Sequence, residues 1–169
     1  STIGKGVSIE DYSNTSVAVA NKVLPSVVGI TVTYSVNSPY YSYYGMSGGT
    51  STATGSGVII TNDGYILTNN HVVASSSSSS YYQVSKATKI TVTLYNDETE
   101  YEAKIIGTDE QTDLAVLKIE KDGLTAAELG DSSSIKVGEF AMAIGNPLNM
   151  PSTVTTGIIS ATNRTITSD

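Results

Sequence analysis

A chain of 169 residues is long enough for one domain with a sizeable core. It is 39% hydrophobic and 15% charged, too apolar for a disordered segment and too lightly charged for a coiled coil. A net charge of −7 gives no basic face for nucleic acid, and the absence of cysteine excludes disulfides, thiolate catalysis and Cys-based zinc sites.

With one histidine in the chain, a metal site would have to be built mostly from carboxylates, and neither a metal nor a cofactor is expected. No apolar run approaches the roughly 18 residues that a membrane-spanning helix needs, so no membrane contact by this chain is expected. No signal peptide is read, and the start at Ser1 suggests a processed product. The dominance of Ser, Thr, Tyr and Asn over nine Lys and Arg points to an extracellular or cell-envelope protein.

In chain order, Ser13 to Leu24 reads as a short helix, with Ser, Asn and Thr able to cap it and Pro25 to stop it. Strands follow. Residues 26–34 (SVVGITVTY) are β-branched and alternate. Residues 55–61 (GSGVIIT) and 65–69 (YILTN) flank Asn62-Asp63-Gly64, a hairpin signal because these residue types accept positive φ. Residues 89–95 (KITVTLY) and 100–107 (EYEAKIIG) flank a second turn at Asn96 to Thr99. Residues 114–119 (LAVLKI) read as a strand buried on both faces, and 137–145 and 152–160 close the series. Residues 38–54, rich in Tyr, Ser and Gly, and the serine-rich 75–86 read as solvated loops.

This pattern predicts an all-β barrel or sandwich. Six strands end by Glu120, and two more follow the turn-rich 126–136. Two strands cannot close a barrel, so the chain reads as one complete β unit and the opening of a second.

His71 stands at the end of the 65–69 strand, beside a segment that reads as one helical turn. Asp113 stands 42 positions on, just ahead of the 114–119 strand. A carboxylate there is costly to desolvate unless it is paired, and the single imidazole is the natural partner. TNNHVV (68–73), TDLAVLKI (112–119) and AIGNP (143–147) in this order, with GSGVIIT (55–61) and TTGIISA (155–161), resemble the HtrA (Deg) family of trypsin-like serine proteases.

The resemblance implies a double β-barrel, with the first six-stranded barrel complete and only the first strands of the second present. It divides the chain into 1–24, an N-terminal segment that builds trimers with Tyr12 as an aromatic contact, 25–125, the first barrel, and 126–169, the start of the second. It makes His71 the general base and Asp113 the residue that orients the ring. A serine hydroxyl needs a neighbouring base, and imidazole titrates near neutrality. It also implies unfolded or misfolded envelope proteins as substrates and a PDZ domain as a further part.

The family's Gly-Asn-Ser-Gly-Gly nucleophile block is missing. Ser47 lies in a Ser-Gly-Gly sequence, but a loop cannot hold its hydroxyl rigidly, and Ser75 to Ser80 share that defect. The expectation is therefore a serine endopeptidase fragment, inactive alone. Two alternatives remain open: a non-catalytic surface adhesion module built on the Tyr-Ser-Gly loops, and a pseudo-protease.

Overall fold

The structure, a computed structural model, describes residues 8–37, 49–74, 83–146 and 153–163. Helix α1 spans Ile9–Val23 and starts four residues ahead of the Ser13 expected from sequence. The cap responsible is Ser8. Its side chain accepts from the Asp11 backbone N–H, and the Asp11 carboxylate accepts from the Ser8 backbone N–H. This reciprocal pair satisfies two of the donors that a helix start leaves unpaired. At the far end Pro25 lies in a short 3-10 turn, Leu24–Ser26, that passes the chain into β1.

Eight strands follow among the described residues: β1 Val27–Asn37, β2 Gly49–Ile59, β3 Tyr65–Asn69, β4 Gln83–Thr93, β5 Glu100–Asp109, β6 Leu114–Ile119, β7 Phe140–Gly145 and β8 Thr153–Ile158. One helical turn, α2 (Asn70–Val73), sits at the end of β3. The first six strands form a closed barrel in the order β1-β2-β3-β6-β5-β4, and β7 and β8 pair as a separate two-stranded sheet. The all-β expectation and the contrast between a closed first unit and an open second one both hold.

The core follows from period-2 alternation. Val28, Ile30, Val32 and Tyr34 of β1 point inward and meet Ile66 of β3, Ile90 and Val92 of β4, and Ala115, Leu117 and Ile119 of β6. These strands are β-branched and aliphatic, so their side chains fill a small barrel in few rotamers. β6 departs from the sequence reading. Its burial alternates instead of covering both faces: Ala115, Leu117 and Ile119 are buried, while Leu114 is 42% exposed. The physical reason is closure of the barrel, which leaves each strand one inner and one outer face.

Two stretches read as loops belong partly to strands. Residues 49–54 are the outer arm of β2, paired with Thr31 to Val36 of β1, and residues 83–86 open β4. The remainder of those stretches, including Ser47 and Ser75 to Ser80, lies outside the described residues. The second sheet is held by α1. The Tyr12 ring packs edge-on against Phe140 of β7 with centroids 5.7 Å apart, and its hydroxyl donates to Thr156 Oγ1 of β8 at 2.7 Å.

The Asn62-Asp63-Gly64 turn shows why a glycine is required there. Gly64 has φ +105°, and a Cβ on it would lie 2.3 Å from the Ile119 carbonyl oxygen. Backbone conformation and contact both reject a side chain. Gly64→Ala is expected to cost roughly 2–4 kcal/mol of stability. Urea unfolding of the two proteins measures it, and a change under half a kcal/mol would contradict this view of the turn.

Candidate active site

The site is built where β3 ends. The backbone ladder pairs Asn69 with Leu114, so the turn after β3 lies alongside the residue that precedes β6. That residue is Asp113. Its φ of +54° is left-handed, a conformation that Asp tolerates better than most side chains. The turn into it is tied by Asp109, whose carboxylate accepts from the Gln111 N–H at 3.0 Å and the Thr112 hydroxyl at 2.7 Å.

Asp113 does what an N-cap ordinarily does. The first N–H groups of α2 lack intrahelical partners, and Asn69 at the cap position offers them no side-chain bond. Asp113 takes them from across the barrel rim. Its carbonyl accepts from Asn70 N at 3.0 Å, and its Oδ1 accepts from His71 N at 2.9 Å. The Asn69 amide is turned the same way and donates to the Asp113 carbonyl at 3.0 Å and to Oδ2 at 3.2 Å. With the backbone held in this manner, His71 Nδ1 meets Asp113 Oδ2 at 2.7 Å.

The two residues singled out in the sequence are thus in direct contact. Asn69 and Asn70 hold them together and were not singled out. Tyr34 is a further support. It is 5% exposed, its hydroxyl donates to the carbonyls of Val72 and Ala74 at 3.4 and 3.3 Å, and burial pushes its phenol up from the ordinary range. It braces the far side of the turn that carries His71.

The electrostatics favour an ionised Asp113. The His71 backbone N–H first, and then the His71 ring, hold its carboxyl below its ordinary value of 3.8, with Asn69 adding to the effect. An ionised carboxylate only accepts, so the ring nitrogen facing it carries the proton. The pair stands at the rim, with the His71 side chain 71% and the Asp113 side chain 44% exposed. The sequence reading had Asp113 buried. Hydrogen bonds, and not desolvation, set its charge state.

A depressed carboxyl contributes stability above its unfolded-state value, and that contribution is lost as pH falls through the lower folded-state value. The acid limb of the unfolding midpoint, below about pH 4, is therefore expected to fall more steeply for the native chain than for Asp113→Asn. Superimposable limbs between pH 6 and 2 would contradict it.

Beside the pair lies a groove of about 270 Å³, floored by Leu67 and Leu114 and edged by Asn69 and by Ile144 of β7. It separates the barrel from the second sheet. Among the described residues no three His, Asp or Glu side chains converge as metal ligands would.

The described residues thus set this pair between a closed six-stranded barrel and a separate two-stranded antiparallel sheet. The family model of the trypsin-like peptidase domain matches residues 55–169. A protein of Marinomonas sp. (strain MWYL1), named "Probable periplasmic serine endoprotease DegP-like", is 48% identical over 121 residues, covering 72% of this chain and 23% of its own. A protein of the same name from Hahella chejuensis (strain KCTC 2396) is 50% identical over 114 residues, 68% of this chain and 22% of its own. The solved HtrA-type protease AlgW with tripeptide superposes with a TM-score of 0.66 at 37% identity, covering 86% of this chain and 40% of that one. AlgW with decapeptide gives 0.66 at 35% identity, with 86% and 45% covered.

The chain belongs to the HtrA/Deg family of trypsin-like serine proteases. It spans less than a quarter of the length of these two DegP-like relatives.

Proposed function

We propose that this chain supplies the base-bearing half of a serine endopeptidase site. The observation that carries the reading is the 2.7 Å contact between His71 Nδ1 and Asp113 Oδ2 at the rim of the barrel. With Nδ1–H committed to the carboxylate, Nε2 is left to take a proton from a serine hydroxyl and return it to the leaving amine. Asp113 fixes that tautomer and stabilises the imidazolium that forms. Asn69 and Asn70 position Asp113 and touch no reacting atom. The nucleophile comes from the second barrel, of which 126–169 is the start, while 25–125 forms the base-bearing barrel.

The substrates are unfolded or misfolded polypeptides of the cell envelope. The relatives named periplasmic endoproteases support this. Residues 1–24 serve in a homotrimer, a reading supported by Ile9 and Val17, which lie 89% and 57% exposed on α1. A PDZ domain follows the protease domain in the whole protein.

The test is an assay of the gene product that carries residues beyond Asp169. It is expected to cleave a permanently unfolded polypeptide and to incorporate a serine-directed phosphonate, while the 169-residue chain does neither. A longer product that takes up no phosphonate would remove the endopeptidase reading.

A further inference from the structure

Resting on that reading, we propose that Ser56 is a positioning residue that ties the seating of the second sheet to the placement of His71. The backbone ladder between β2 and β3 is short. It pairs Val58 with Leu67 and Ile59 with Ile66, and no pair follows toward the histidine. On its other edge β3 is paired with β6 as far as Asn69, but on the β2 side contacts beyond the ladder fix where it ends. Thr68, 5% exposed, provides one: its hydroxyl donates to the Ser56 carbonyl at 2.8 Å. Packing provides another. A Cβ on Gly55 would lie 2.6 Å from a Val72 methyl, so the residue after His71 is pressed against bare β2 backbone.

Ser56 faces the other way too. Its Oγ accepts from the Asn146 N–H at 2.8 Å, across 90 positions of sequence. Asn146 follows β7 directly and is 7% exposed. Its carbonyl oxygen would lie 3.2 Å from a Cβ on Gly29, so the first barrel's wall is cut to receive it. One residue therefore holds both sides. The Ser56 carbonyl fixes Thr68, three positions ahead of His71, and its hydroxyl fixes the end of β7. A shift of the second sheet is passed to the base through the Ser56 peptide and the Thr68 hydroxyl.

The chain has one histidine, so its ring gives one set of NMR signals. The hydrogen-bonded Nδ1 proton of His71 and the Asn146 amide are the two readouts. Ser56→Ala is expected to speed exchange of the Asn146 amide about fivefold, the protection that one net hydrogen bond gives. It should also broaden the His71 Nδ1 proton. In a Thr68→Val background the link to β3 is already cut. There, Ser56→Ala should still speed Asn146 exchange but no longer alter the histidine signal. An Nδ1 proton unmoved by Ser56→Ala, or moved equally in both backgrounds, would overturn the proposal. In the longer protease, Ser56→Ala should lower kcat and leave KM unchanged, and a change confined to KM would also overturn it. A longer protein without peptidase activity would sink the endopeptidase reading alone, because the NMR signals decide the link by themselves.

Discussion

Replacing His71 with alanine in the proposed longer protease is expected to lower kcat for peptide hydrolysis on the order of a million-fold, with KM little changed. The size follows from the proposed role as general base. A serine hydroxyl at neutral pH is almost wholly protonated, and without a base its attack must carry that proton itself. The fold should survive, because the His71 side chain is 71% exposed and packs into no core. Its backbone N–H still reaches Asp113 Oδ1 in the variant, so the turn keeps its shape. Steady-state kinetics on an unfolded substrate, with a melting curve as control, measures both. A kcat within tenfold of the native value would take His71 out of the mechanism.

Asp113→Asn is expected to cost about ten-thousand-fold in kcat while leaving the backbone in place. Asparagine tolerates the left-handed φ of +54° that this position requires, so the backbone is not the source of the loss. The loss comes from counting donors and acceptors. Asp113 accepts the His71 backbone N–H on one oxygen and faces the ring with the other. Asparagine has one acceptor oxygen. Given to the backbone N–H, it leaves the amide nitrogen facing Nδ1, which must then accept. The ring proton moves to Nε2, where the serine hydroxyl should be received. Full activity in Asp113→Asn would show that tautomer control plays no part here.

The sequence pattern alone places much of this. Tyr65–Asn69 and Leu114–Ile119 are strands over the ranges expected, because strong β-branched and aliphatic periods are bounded by turn residues or by Asp113. The outer arm of β2 was not legible. Its Gly49 to Thr54 stretch is exposed and polar, and its strand character comes from pairing with β1, a tertiary fact that composition does not report. His71 and Asp113 were legible as a pair because the chain offers a single imidazole. Asn69, Tyr34 and Ser56 were not. Each has a side-chain polar atom on a partner 38 to 90 positions away, and no local pattern encodes that. The burial assumed for Asp113 failed for a related reason, since its charge is held by N–H groups that only the folded rim brings together.

In the proposed mechanism His71 activates a serine supplied by residues beyond Asp169. The most direct measurement is the rate at which a serine-directed phosphonate labels the longer protein, native against His71→Ala, from pH 5 to pH 9. The native protein is expected to be labelled across that range, and the variant's rate to fall to background throughout. Equal labelling of the two proteins across that range would contradict the claim.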